Sequence, residues 1–286
     1  DIDLFESQYV VPEGMSYNSY LIEDEKIAIM DTADRRKGEE WKANLADALA
    51  GRQPDYLVTH HMEPDHASLI AEALEMYPDM KLVCSAQALK MLPNFFVDFS
   101  FDGRVMTVKE GDTLSLGSHV LHFIAAPMVH WPEVIMSYES KEKVLFAADG
   151  FGKFGALVNE TDDWACEARR YYFNICGKYG VQVQNVLKKA AGLDIQTICP
   201  LHGPVLEGEA MAEAIRLYGE GDHAGKMECS TLEYLRPGSI KLERLPETDD
   251  WFAQASAEMS VELGERRVAQ SVADYVAEMK AQKGMK

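Results

Sequence analysis

The chain has no apolar run approaching the roughly 18 residues that a membrane-spanning helix needs. Its opening residues, DIDLFESQYVV, carry neither the basic stretch nor the apolar segment of a secretory signal. Both absences point to a cytoplasmic protein. Cysteine is sparse and unpatterned. Cys84, Cys166, Cys176, Cys199 and Cys229 are odd in number and show no CxxC spacing, which argues against a disulfide framework, a zinc ribbon or a rubredoxin-type iron centre and fits a reducing compartment. Positive charge is short as well: Lys and Arg total 28 against 47 Asp and Glu, a formal net charge of -19. Nucleic acid and anionic membrane surfaces are therefore poor partners, whereas a cation-rich site suits such a field.

What is present reads as α/β. Short apolar strands are expected at 17–22, 26–31, 56–59, 81–84, 104–108, 119–124, 134–138, 143–148 and 195–199. Between them, Trp41, Leu45 and Leu49 recur at helical spacing, as do Leu69, Ile70, Ala73 and Leu74, and further helices are expected over 168–179, 183–190 and 210–218. After Tyr218 the polar, Gly-rich stretch GEGDHAGK reads as a loop or linker. A hairpin is expected next, TLEYL and IKLERL around RPGS, then two acidic helical segments, the last with Val268, Val272, Val276 and Met279 on one stripe. The division expected is a domain over 1–218 and a small C-terminal α+β appendage over 219–286.

Residue types that bind metals recur in one context. The strand DYLVTH runs into HMEPDH, with Asp65 where a helix N-cap is expected; HVLHFIAAPMVHWP is a strand ending near His130; KVLFAADGFGKFG ends at Asp149; IQTICPLHGP ends near His202. Strand ends are where side chains distant in sequence converge in layered α/β proteins. Singly, each has a structural explanation: a loop histidine, or a turn aspartate bonding its own backbone. Jointly they point to a metal site. His60, His119, His122 and His223 are read as structural or surface residues.

The combination HxExDH, His in PMVHWP, Asp in FAADGFG and His in CPLHGP resembles the metallo-β-lactamase-like domain of flavodiiron proteins, which reduce oxygen or nitric oxide. The resemblance covers nearly everything from Asp1 to about Tyr218 and implies an αββα sandwich with the metal site at one edge of its two sheets. It implies that His61, Glu63 and His130 hold one non-haem iron, that Asp65 and His202 hold the other, and that Asp149 bridges them. His66 completes the second iron in some family members and stands aside in others. A bridging oxo, hydroxo or peroxo species would accompany the two irons. Phe151, Phe154, Trp131 and Tyr17 are candidates for either an apolar pocket wall or the core. Hydrolases of the same superfamily carry HxHxDH, whose neutral imidazoles suit zinc and a metal-activated hydroxide. Here Glu63, Asp65 and Asp149 supply anionic oxygen donors, which favour iron and its ferric state.

The chain departs from that family after Tyr218, where no flavodoxin-like strand, Ser/Thr-rich phosphate loop and helix can be read, so FMN is not expected within it. Three readings stay open. One is an oxygen or nitric oxide reductase whose electrons come from a separate flavin protein or a rubredoxin-type donor, or whose flavin domain lies outside this sequence. Another is a flavin-free oxygen-binding diiron sensor that meets a signalling partner. The third is a binuclear zinc hydrolase. The resemblance further implies a head-to-tail homodimer.

Overall fold

The computed structural model describes residues 4–5, 9–159, 164–220, 233–238, 259–266, 268–270 and 272. Two compact units divide the chain, Asp1–Gly219 and Glu220–Lys286.

In the first unit a short pair, β1 (Leu4–Phe5) and β2 (Tyr9–Val10), precedes two larger sheets. One sheet has five strands in the order β3 (Tyr20–Glu23), β4 (Ile27–Met30), β5 (Tyr56–Val58), β6 (Lys81–Ser85), β7 (Val105–Val108); β3 and β4 are antiparallel and the remaining pairs parallel. The other runs from β8 (Thr113–Ser115) through β9 (Val120–Ala125), β10 (Ile135–Glu139), β11 (Val144–Phe146) and β12 (Thr197–Cys199) to β13 (Leu206–Glu207). Its pairs are antiparallel except β11 with β12.

Alternation along the strands builds three apolar layers. On β4, Ala28 and Met30 join Val58 and Val83 against Leu121, Phe123, Ile135 and Phe146 of the second sheet, the layer between the sheets. Ile27 and Ile29 point the other way, onto Trp41, Leu45 and Leu49 of α1 (Gly38–Leu49), Ile70 and Leu74 of α3 (Ile70–Met76), and Leu92 of α4 (Ala86–Phe95). Met136, Leu145 and Ile198 leave the outer face of the second sheet toward Tyr171 and Tyr172 of α5 (Trp164–Ile175), Val183 and Val186 of α6 (Gly180–Ala190), and Leu217 and Tyr218 of α7 (Gly208–Glu220). Strands buried on both faces must be apolar at odd and even positions alike, which is why β4 reads IAIM without a polar break. The result is an αββα sandwich.

All nine expected strands form, with ends moved by up to three residues. Those without a prior expectation, β1, β2, β8 and β13, are too short to show a period. Helix α4 was also not expected: it is capped by the Ser85 hydroxyl, which accepts from the Ala88 N–H, and it carries Pro93 inside it, a residue that argues against a helix on sequence alone. Asp65 is not an N-cap. The short α2 (Pro64–Ala67) has Glu63 at its N-cap and ends before α3 begins, so Asp65 sits in the first turn. In the second unit residues 233–235 are helical where the first strand of a hairpin was expected; the second strand lies outside the described residues, as do Val276 and Met279. No helix among the described residues is long and apolar enough to cross a membrane.

The layer between the sheets carries the sandwich, so truncating Phe123, 1% exposed, should cost about 3–5 kcal/mol of unfolding free energy. Val97, 83% exposed, should tolerate Ala within about 0.5 kcal/mol. Denaturant unfolding of Phe123→Ala and Val97→Ala measures both; equal losses would contradict the layer assignment.

Candidate metal centre

The loop HHMEPDH leaves β5 under tight control. Asp31, in the left-handed region (φ 56) just after the parallel neighbour β4, accepts from the His60 N–H at 2.7 Å and from His60 Nδ1 at 2.5 Å. The other His60 nitrogen, Nε2, then accepts from the Ser137 hydroxyl at 2.8 Å. The next residue, Thr32, donates to the His66 carbonyl from its N–H at 2.9 Å and its hydroxyl at 2.5 Å. One dipeptide thus fixes both ends of the loop. His60 is a buried structural histidine, as expected, whereas Asp31 and Thr32 were not singled out from the sequence; their only signal was an apolar strand running into DT.

Between those ends the side chains divide into two groups. His61 Nε2 lies 3.2 Å from Glu63 Oε2 and 3.2 Å from Asp149 Oδ2. His130 Nε2 lies 3.1 Å from the same Glu63 oxygen and 3.0 Å from the same Asp149 oxygen. In the second group, Asp65 Oδ2 is 3.4 Å from His66 Nε2 and 3.3 Å from His202 Nε2. Asp149 reaches this group through its other oxygen, Oδ1, at 3.3 Å from His66 and 3.6 Å from His202. The structure therefore brings together all seven of His61, Glu63, Asp65, His66, His130, Asp149 and His202. His66 stands with the second group rather than aside.

Two local strains hold the remaining ligand-type residues. Ala148 (φ 48) and Phe151 (φ 65) flank Asp149 in the left-handed region, a conformation that costs non-glycine residues energy and that tight surroundings must impose. The His202 loop is tied to the stretch before β3: His202 Nδ1 donates to the Ser16 carbonyl at 2.7 Å, the Asn18 amide donates to the carbonyls of Pro200 (2.8 Å) and Gly203 (2.7 Å), and the Tyr20 hydroxyl donates to Pro200 at 2.6 Å. Gly203 is required there. Its φ is +90, and a Cβ would come within 2.8 Å of Lys153 Cγ.

The arrangement fits a pair of cations. Asp65 and Asp149 are buried with neither carboxylate oxygen hydrogen-bonded among the described residues, a state that polar groups in protein interiors avoid. The His66 and His202 Nε2 atoms face each other at 3.0 Å, which neutral lone pairs tolerate only around a shared proton or a cation. In each group the ligand atoms lie within 4.8 Å of one another. Without cations the field must be met by protons instead. Burial opposes a charge on His61, but Asp149, Glu133 and Glu63 outweigh it and raise its pKa well above the ordinary value. Against the same burial, Asp149 and Glu63 lift His130 to about 9. Burial would raise the Asp149 pKa, yet His61, His130 and His66 hold it well below the usual carboxylate range.

The other sequence candidates fall outside the cluster. His119 accepts from Lys141 Nζ at 3.0 Å and faces Glu139, His122 packs 6.3 Å from the Tyr138 ring, and His223 lies outside the described residues. Trp131 stands edge-on to His61 at 5.2 Å and Tyr17 edge-on to His202 at 5.7 Å, so both wall the centre. Phe151 and Phe154 belong to the core behind it. None of the seven cluster residues lines the two surface grooves of about 480 and 370 Å³.

Known proteins share this sequence pattern and fold. The family described as ODP family beta lactamase matches residues 15–203. The anaerobic nitric oxide reductase flavorubredoxin homolog of Escherichia coli O157:H7 is 33% identical over 213 residues, 71% of this chain and 51% of that protein. Among solved structures, the flavodiiron protein of Giardia intestinalis is 28% identical with a TM-score of 0.72, over 82% of this chain and 62% of that one. Rubredoxin oxygen:oxidoreductase of Desulfovibrio gigas is 29% identical with a TM-score of 0.69, over 81% and 64%. The chain spans only 36% to 54% of the length of the first curated relatives it matches.

Because Asp31 supplies two hydrogen bonds to His60, Asp31→Ala should destabilise the metal-free protein by about 1.5–3 kcal/mol, the range for bonds to a charged group. Denaturant unfolding checks this; an unchanged midpoint would contradict the clamp.

Proposed function

Since this chain belongs to the ODP family of beta-lactamase-like domains, we propose that it is a non-haem diiron protein that binds a diatomic gas, oxygen or nitric oxide, and reduces it when a flavin or rubredoxin-type donor supplies electrons. One observation carries the reading: the two oxygens of Asp149 face two different groups of His and carboxylate donors, Oδ2 toward His61 and His130, Oδ1 toward His66 and His202. His61, Glu63 and His130 would hold one iron, Asp65, His66 and His202 the other, with Asp149 between them.

The donor set favours iron over the zinc of related hydrolases. Glu63 replaces a neutral imidazole with a hard anionic oxygen, and with Asp65 and Asp149 it brings three carboxylates to two cations. Such a set stabilises the higher charge reached as electrons leave. When bound, the iron pair supplies the electrons and the open coordination positions that a diatomic ligand needs. The chain's own residues supply position and dryness. Trp131 walls the first group. Phe5, 5.1 Å from the His202 ring, and Tyr17 wall the second. A centre largely buried behind those rings, none of whose seven residues lines either groove, suits a ligand of two atoms rather than an organic substrate. The electrons would come from a flavin protein or a rubredoxin-type donor, and a homodimer belongs to the same proposal. Glu220–Lys286 would form an appendage to the metal-binding domain.

Protein isolated without added metal should contain about two irons per chain, and Asp149→Ala should lose both metals together. Elemental analysis checks both. Zinc with little iron would sink the diiron reading, and an Asp149→Ala protein that keeps both irons would remove the bridging role. Mixing the reduced protein with oxygen separates two modes: a long-lived coloured species marks binding, and rapid repeated turnover with a generic reductase marks an enzyme.

A further inference from the structure

One buried acid beside the cluster has no place in the ligand set. Glu133 is 2% exposed, on the segment that links His130 to β10. Its Oε1 accepts from His61 Nδ1 at 2.8 Å and from the Met62 N–H at 2.8 Å, while Oε2 has no hydrogen-bond partner among the described residues. Its position is fixed from behind: the Glu133 carbonyl accepts from the Ser85 hydroxyl at 2.7 Å, and that same hydroxyl caps α4.

Two consequences follow from this geometry. A carboxylate at Nδ1 fixes the neutral His61 tautomer with its proton on Nδ1, so Nε2, beside Glu63 and Asp149, is the atom left to bind a cation. It also adds a buried negative charge to one side of the cluster only. In the second group the corresponding contact is neutral, since His202 Nδ1 donates to the Ser16 carbonyl, and His66 Nδ1 has no partner among the described residues. The charges are then Glu63, Glu133 and a share of Asp149 on one side, against Asp65 and a share of Asp149 on the other, where the half-buried Asp34 near His66 is offset by its ion pair with Arg36 at 2.6 Å.

We propose that Glu133 is a positioning residue that makes the two metal positions unequal: the His61–Glu63–His130–Asp149 position fills first and holds its metal more tightly than the Asp65–His66–His202 position. The inference rests on the binuclear reading above. Carboxylates that orient a ligating histidine commonly change metal affinity by about 10- to 100-fold, enough to separate two otherwise similar sites.

The test titrates the metal-free full chain anaerobically with Fe²⁺, and with Zn²⁺ as a redox-silent probe, against a chromophoric chelator. Two steps separated by about tenfold or more are expected. Asp65→Asn should abolish the weaker step and spare the tighter one. Glu133→Gln keeps an oxygen to accept from His61 and Met62 but removes the charge; it should weaken the tighter step by about 10- to 100-fold and leave the weaker one in place. Equal wild-type affinities, or a Glu133→Gln protein whose two steps weaken alike or not at all, would overturn the inference while leaving a binuclear centre intact. Uptake of a single metal, or none, would overturn it together with the binuclear reading. If Glu133→Gln does not fold by circular dichroism, Glu133→Asp, which keeps the charge but draws it back from His61 Nδ1, takes its place: a weakened tighter step with the weaker step unmoved is expected, and two steps unchanged or weakened alike would overturn the inference.

Discussion

The carboxylate of Asp149 is the constraint on which the rest of this structure turns. Within its group it lies with Glu63 in a set of ligand atoms no more than 4.8 Å apart. Two carboxylates at that separation repel by about 3–4 kcal/mol at an effective dielectric of about 20, and burial adds to the cost. A fold can keep such a group only by surrounding it with positive charge. Protonated histidines serve in the metal-free protein, as two cations would in a loaded one, which is why His61, His66 and His130 all have raised pKa values here.

The scaffold is arranged to hold that conflict in place. The cluster residues arrive from beyond the ends of β5, β9, β11 and β12, so both sheets contribute and neither alone could form the centre. Hydrogen bonds from β4 to the first loop, and from the stretch before β3 to the last, stop the ligand loops from relaxing apart. The left-handed residues at 31, 148 and 151 lie next to those restraints. Backbone strain and hydrogen-bond restraint occur together, as expected where surrounding structure over-determines a site.

Much of this was legible in the sequence because ligand chemistry and strand chemistry leave local marks. IAIM and YLV are short, apolar and run straight into polar residues, and VLF reaches Asp149 after two alanines, so the strand ends and the cluster could be placed together. What stayed hidden was pairwise. Glu133 looks like an ordinary acid after a proline until it meets His61, 72 residues away. Asp31 reads as the last residue of the strand expected over 26–31 until His60 arrives. The position of Asp65 was misjudged because Pro64 opens a separate four-residue helix, so the cap fell to Glu63, which spends its side chain on His61 and His130 instead of on the helix.

If the Asp149 carboxylate joins the two proposed metal positions, the irons it holds form one coupled pair. Electron paramagnetic resonance of the iron-loaded protein, taken through stepwise anaerobic reduction, tests it most directly. A coupled pair predicts a silent fully oxidised state and a mixed-valence signal at half reduction. Isolated high-spin ferric signals that simply fade, with no mixed-valence signal at any stage, would contradict it.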